Sequence, residues 1–189
     1  MARSRDTEKP SQIIGAAFEV FGKTGYQATL VRDIADRAGI SAGTVYTYFR
    51  DKRELFRATA KLGWTRFLDQ IRALVESRQP VEARLMEFVQ IGFGSLRRHL
   101  PLLKGMLFES SQMNILEESL DELCSLVERL LAGRATAMQH PSGDPAFRRS
   151  MIRFTVVGVL FSAALAPPDR VDQEIDGLRA TVTGLLAGG

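Results

Sequence analysis

The stretch SAGTVYTYF, residues 41–49, sets Ser41, Gly43, Thr44, Tyr46, Thr47 and Tyr48 side by side with no charged residue among them. Threonine can hydrogen-bond a base edge or touch a thymine methyl, and tyrosine can reach phosphate or base edges, so this set suits the major groove of DNA. Gly43 lets a partner approach the backbone closely. Ser41 and the free N–H groups of the helix it starts form a natural phosphate site, and Thr29 with the preceding helix start forms a second. Lys52, just beyond, is placed to grip the DNA backbone again.

Other residues with reactive side chains do not assemble into a catalytic pattern. The two histidines, His99 and His140, are far apart, and Cys124 sits beside Leu123 and Leu126 on an amphipathic pattern. No metal-spaced cluster or glycine-rich phosphate loop occurs, so neither an enzyme, a metal site nor a cofactor is expected. Glu117, Glu118, Asp121 and Glu122 have the spacing of a solvated helix face.

Helices must position the 41–49 stretch. Apolar residues recur at helical spacing almost everywhere, which predicts an all-α chain. Ile14, Ala17, Phe18 and Phe21 mark a first helix over about 10–24, with Pro10 in its first turn and Gly22 and Gly25 near its stop. Val31, Ile34, Ala35 and Ala38 mark a second of about two turns, capped by Thr29 and ended by Gly39. Ser41 caps the third, and Gly39-Ile40 is the tight turn between them, which is helix-turn-helix grammar. Advancing 100° per residue, Val45 and Phe49 face inward with Ala42, while Gly43 and Thr47 point the other way, flanked by Thr44 and Tyr46. A connecting helix runs to about Arg78. Further helices are expected over 81–99, after Pro101, over about 115–138, from Asp144-Pro145, and over Val171–Leu186.

The bulk properties agree with a compact globular protein of one or two domains. The chain has 189 residues, 45% of them hydrophobic, and a net charge of +3. Residues 1–61 hold 11 Lys/Arg against 7 Asp/Glu, a net +4, and the remainder holds 14 against 15, a net −1. The positive excess therefore lies with the helix-turn-helix, where phosphates would be neutralised. One cysteine excludes an internal disulfide, and Met1 to Pro10 carries no apolar leader segment, so a cytoplasmic location is expected. The most apolar run, Phe154 to Ala166, is too short to span a membrane.

The segment AAFEVFGKTGYQATLVRDIADRAGISAGTVYTYFRDKRELF, residues 16–56, resembles the DNA-binding domain of the TetR/AcrR family of bacterial transcriptional regulators. F-x-x-x-G-Y, T-x-x-x-D-I-A, A-G-I-S-x-G-T-x-Y-x-Y-F and D-K-x-E-L fall in order at the family's spacing. The resemblance implies a three-helix DNA-binding head over 1–52 and a six-helix effector-binding and dimerisation domain over 53–189. It also implies a homodimer on a palindromic double-stranded operator, acting as a repressor released by a small-molecule effector. Carried over by motif position, Arg32, Ala42, Gly43, Thr44, Tyr46, Thr47 and Tyr48 face the operator, with Lys52 on phosphate. Position 42, often Lys or Gln in such proteins, is Ala here, so base reading would lean on Arg32, Thr44 and Thr47. Arg32 has an alternative, pairing with Asp33 or Asp36 on its own helix. Tyr48 can instead pack against the first helix, and Phe49 belongs to the core. Arg3, Arg5 and Lys9 form an N-terminal arm that either adds DNA contacts or is simply solvated.

Trp64, Phe67, Phe88, Phe93, Met106, Phe108, Met113 and Cys124 give the middle of the chain an aromatic and methionine-rich interior. These side chains suit either a plain core or an adaptable pocket for an apolar or amphipathic ligand. Arg97, Arg98 and His99 form a wet helix end or meet an acidic ligand group. Phe154, Val157, Gly158, Phe161 and Leu165 form a seam on a helix that is apolar nearly all round. With Leu178 on the following helix they mark an intersubunit four-helix bundle, burial within one subunit being the alternative.

Overall fold

A computed structural model describes residues 3–108, 113–132 and 144–187. Among the described residues the chain forms eight helices and no strand. They are α1 (Arg3–Ala28), α2 (Val31–Ala38), α3 (Ala42–Tyr48), α4 (Lys52–Glu76), α5 (Val81–Phe108), α6 (Met113–Leu131), α7 (Pro145–Leu165) and α8 (Val171–Ala187). The fold class is all-α, as the periodicity implies. No helix among them is long and apolar enough to cross a membrane.

The chain divides into two compact units, Met1–Arg66 with His99–Ile115, and Phe67–Arg98 with Leu116–Gly189. The division falls inside α4 and α5, so the first unit holds more than the expected head over 1–52. In that unit Ile13, Ala17 and Phe21 of α1 are fully buried, together with Ile34, Val45, Leu55 and Phe56. Three aromatic rings centre the packing. Phe21 meets Phe56 edge-on at 5.0 Å, and Tyr26 meets Phe56 at 4.8 Å between centroids. Gly105 makes room for them, because a Cβ there would lie 2.7 Å from Phe56 Cζ and 3.1 Å from Tyr26 Cβ.

The start of α1 differs from the sequence expectation. α1 begins at Arg3, which puts Pro10 inside the helix rather than in its first turn. A prolyl ring removes only one ladder hydrogen bond, and α1 tolerates it near its start. The regular part of α1 then breaks at Gly25, whose φ of 76° is open to glycine at little cost. α5 kinks two residues before Pro101, at His99 (φ −118°, ψ 17°), where one expected helix ends and the next begins. Counting the pieces on either side of that break separately, six helical segments follow α3.

In the second unit Leu68, Ile71 and Leu74 of α4 and Leu85, Val89 and Leu96 of α5 are buried, as are Leu123, Leu126 and Leu130 of α6 and Ile175 of α8. Ion pairs fasten the rims: Arg72 with Glu122, Arg153 with Asp121, and Arg97 with Asp172 at 3.0 Å and Asp176 at 2.9 Å. Asp144 caps α7 by accepting from the Ala146 N–H at 2.9 Å, with Pro145 at the first helical position. The part of the expected 115–138 helix beyond residue 132, and His140, lie outside the described residues.

Candidate nucleic-acid interface

α2 and α3 are short because each is stopped by local chemistry. Gly39 takes the left-handed conformation (φ 67°, ψ 35°) and its N–H reaches the Asp36 carbonyl at 3.2 Å. The Ile40 N–H returns to the Ala35 carbonyl at 3.0 Å, closing the turn. Ser41 then opens α3, its Oγ accepting from the Thr44 N–H at 3.1 Å. Val31, Ile34, Ala35 and Ala38 on one side, and Val45 and Phe49 on the other, are buried. That packing fixes which residues α3 turns outward.

The outward set is Gly43, Tyr46 and Thr47, with Thr44 half-buried beside them. Tyr46 is 53% exposed, unusual for so large a ring. The Thr47 hydroxyl donates to the Gly43 carbonyl at 3.1 Å, and the Ser41 and Thr44 hydroxyls share a hydrogen bond at 2.9 Å. The hydroxyls are thereby oriented before any partner arrives. A Cβ on Gly43 would meet only the Ser41 Oγ, at an ordinary 3.7 Å, so the fold itself does not require glycine here. What glycine does supply is a missing side chain on the exposed face. Ala42 and Tyr48 are half-buried.

Arg32 is exposed, at 4.0 Å from Asp36, the limit of an ion pair. Asp33, the other candidate partner, is engaged elsewhere, accepting from the Leu30 N–H at 3.0 Å. An exposed pair at that distance holds Arg32 weakly. Two exposed residues beside the set were not singled out from sequence. Arg50, just past α3, extends into solvent, with Nε 3.4 Å from Asp51. Leu30, which flanks α2, is 63% exposed. Arg50 was legible as the cation between F and D-K in the motif. Leu30 carries no such signal, because apolar character argues for burial.

Two expected phosphate ligands have other positions. Thr29 is 1% exposed and does not cap α2, a position taken by Leu30. Its hydroxyl donates to the Gly25 carbonyl at 2.7 Å and meets the Thr24 hydroxyl at 2.7 Å, which satisfies the chain where α1 breaks. Lys52 directs its ammonium to the carbonyls of Tyr26 at 2.9 Å and Thr29 at 3.1 Å, and over the Tyr26 ring. Asp51 caps α4 by accepting from the Glu54 N–H at 2.8 Å. That hydrogen bond, foremost, with help from the Arg50 and Arg53 charges and against partial desolvation, holds the Asp51 carboxyl below its usual range.

Residues 13–59 match the family described as bacterial regulatory proteins, tetR family. The helix-turn-helix segment is thus of the tetR-family type. A fatty acid metabolism regulator protein of Bacillus subtilis is 27% identical over 129 residues, 68% of this chain and 66% of that protein. Matches to curated relatives such as this one span about half to two thirds of their length. Among solved structures, the fatty acid degradation regulator FadR from Bacillus halodurans superposes with a TM-score of 0.68 at 25% identity, covering 95% of this chain and 98% of that one. FadR from Bacillus subtilis, solved in complex with stearoyl-CoA, gives 0.63 at 21% identity over 95% and 98%.

The aromatic and methionine-rich set expected in the middle of the chain is split between the units. Trp64 and Met106 lie in the first, half-buried and buried, as do Phe108 and Met113, whose side chains are outside the described residues. Phe67 and Phe88, half-buried, and Phe93 and Cys124, buried, lie in the second. Burial pushes the Cys124 thiol up, away from its reactive thiolate form. Arg97 and Arg98 are exposed at the end of a helical segment, Arg97 paired with Asp172 and Asp176, while His99 is half-buried against Phe18 at 4.7 Å. Asp121 and Glu122 are paired with Arg153 and Arg72. Among the described residues no group of three His, Cys, Asp or Glu is placed to hold a metal. Along α7, Phe154 is 75% exposed, Leu165 66%, and Phe161 also exposed, with Val157 half-buried and Gly158 exposed, and Leu178 of α8 is half-buried.

Proposed function

We propose that this chain is a sequence-specific DNA-binding transcriptional regulator, not an enzyme, that works as a homodimer on a palindromic operator. The outward face of α3 carries the reading: a rigidly seated short helix that exposes Gly43, Tyr46 and Thr47 and no acidic side chain. In the bound state Arg32, Thr44, Tyr46 and Thr47 meet base edges and Ser41 and Arg50 lie by phosphate, while Ala42 leaves room rather than reaching out. Tyr48 stands at the margin of this set.

The exposed seam of Phe154, Phe161 and Leu165 supports dimerisation through α7 and α8. Exposed aromatic and aliphatic side chains in a row favour an apolar partner, and a second copy supplies the same row about a two-fold axis. To bind a palindromic operator, such a dimer must hold its two α3 helices about 34–36 Å apart, the spacing of successive major grooves.

Repression relieved by ligand completes the proposal. Phe67, Phe88 and Phe93 of the second unit suit a long apolar tail, and the relatives named for fatty acid regulation, one with stearoyl-CoA bound, make a long-chain acyl thioester the first ligand to try. A ligand releases DNA only through its preference for one of two dimer states. The test is selection of genomic fragments by the purified protein, with a Thr44→Ala plus Tyr46→Ala variant as control, and thermal unfolding with and without stearoyl-CoA. An enriched palindrome lost with the variant supports the operator reading, and binding without sequence preference sinks it. A raised melting temperature supports the acyl ligand, whereas no shift with any acyl chain length leaves a regulator governed by other means.

A further inference from the structure

Lys52 opens α4 half-buried, and its ammonium is surrounded by its own chain. Nζ lies 2.9 Å from the Tyr26 carbonyl oxygen, 3.1 Å from that of Thr29, and 4.5 Å from the centre of the Tyr26 ring. Those carbonyls belong to the stretch between the break at Gly25 and the start of α2, where backbone acceptors have lost their helical donors. Around them the other polar groups are engaged as well. The Thr29 hydroxyl donates to Gly25, and the Leu30 N–H is taken by Asp33. Lys52 therefore completes the hydrogen bonding of this junction, and a cation at the end of α1 also complements the helix dipole.

The contact closes a loop. Between Thr29 and Lys52 lie α2, the Gly39 turn and α3, the whole reading motif. At one end the motif leaves the junction that Lys52 grips, and at the other it runs into Lys52 itself. Holding these ends together fixes where α3 can point.

We propose that Lys52 is a positioning residue for DNA binding: it anchors both ends of the helix-turn-helix to one junction and leaves phosphate contact to exposed cations such as Arg50. This rests on the DNA-binding reading above. A phosphate ligand and an internal anchor predict different salt behaviour. Removing a phosphate-bound cation flattens the dependence of log K on log salt by about 0.9, whereas removing an anchor weakens binding at all salt concentrations and leaves the slope.

The experiment compares the full-length protein with Lys52→Met, which keeps the alkyl stem, and Arg50→Met. Operator binding is titrated against salt, and amide hydrogen exchange is followed over residues 26–30 without DNA. Lys52→Met is expected to weaken binding roughly tenfold with an unchanged slope and to speed exchange of those amides by a similar factor. Arg50→Met is expected to flatten the slope by about 0.9 and leave exchange alone. A flattened slope with unchanged exchange in Lys52→Met would overturn the proposal, as would no change in either. Should Lys52→Met not fold, Lys52→Arg decides. It retains the charge for phosphate but not the compact ammonium, so faster exchange with weaker binding supports the anchor, and wild-type behaviour in both refutes it. If the wild type binds no duplex, the DNA reading itself has failed and the positioning role falls with it. Exchange in Lys52→Met would still show whether the junction depends on the ammonium.

Discussion

α3 and α7 both present side chains to solvent, and the two faces could hardly differ more. α3 exposes glycine, threonine and one tyrosine over a buried Val45, while α7 exposes Phe154, Phe161 and Leu165. A groove edged by phosphates and base edges rewards small polar groups that can approach closely, whereas an apolar row gains only from an apolar partner. Exposure alone therefore says little, and its chemistry separates a face that fits DNA from a face that fits protein.

The strongest way to break this comparison is to charge the α7 face. Phe154→Glu with Leu165→Glu should convert a dimer to monomer in sedimentation and weaken operator binding by more than about 100-fold, since half-sites then bind singly. The same pair should leave the helical content intact, because both side chains are largely exposed. A variant that stays dimeric at micromolar concentration and binds as before would show that α7 does not mediate assembly.

Two glycines sharpen the contrast between a reading face and a packed interior. Gly105→Ala would push a Cβ to 2.7 Å from Phe56 and 3.1 Å from Tyr26, so we expect it to destabilise the first unit by about 1–3 kcal/mol. Gly43→Ala meets nothing closer than 3.7 Å and, lying within a helix, should hold or slightly raise the unfolding midpoint, yet reduce operator affinity by crowding the groove. Denaturant unfolding of both variants, with DNA binding measured alongside, decides the matter. Equal stability losses would remove the distinction.

Much of this was legible in the sequence wherever the determinant is local. The faces of α2 and α3, the Gly39 turn, the Ser41 cap and the Asp144-Pro145 start depend on neighbours within four residues, and they stand where the pattern puts them. The surroundings of Lys52 and Thr29 were not legible because their partners are set by where the chain returns: Lys52 reaches back 26 residues to Tyr26. The break near Pro101 was legible too, because a missing N–H marks it in the sequence, and the kink falls at His99. The interior set stayed ambiguous for a different reason. Phe93 or Met106 has the same composition in a core as in a pocket, and periodicity cannot tell them apart.

A smaller effect is expected at the cap that orients α3. Ser41→Ala removes the acceptor for the Thr44 N–H and the partner of the Thr44 hydroxyl, and should cost about 1 kcal/mol of stability. Thr44 would then be freer to rotate, so discrimination between operator variants should fall along with stability. Unchanged discrimination in a destabilised variant would confine Ser41 to capping.

The smallest effect separates α3's exposed chemistry from the junction behind it by pH. Asp51 accepts from the Glu54 N–H, and its carboxyl is held below the usual value of 3.8. A carboxyl whose folded pKa is depressed binds fewer protons folded than unfolded, so its stabilisation is complete above the unfolded value and disappears as pH falls through the lower folded one. Asp51→Asn should therefore lower stability at neutral pH and converge on the wild type under acid conditions. Urea midpoints measured from neutral to acid pH give the test, and a difference that persists undiminished below both values would assign the effect to the side chain's shape rather than its charge. Because Asp51 stands next to Lys52 at the start of α4, acid loss of this cap should also speed amide exchange at the α1–α2 junction if the two ends of the reading motif are held together.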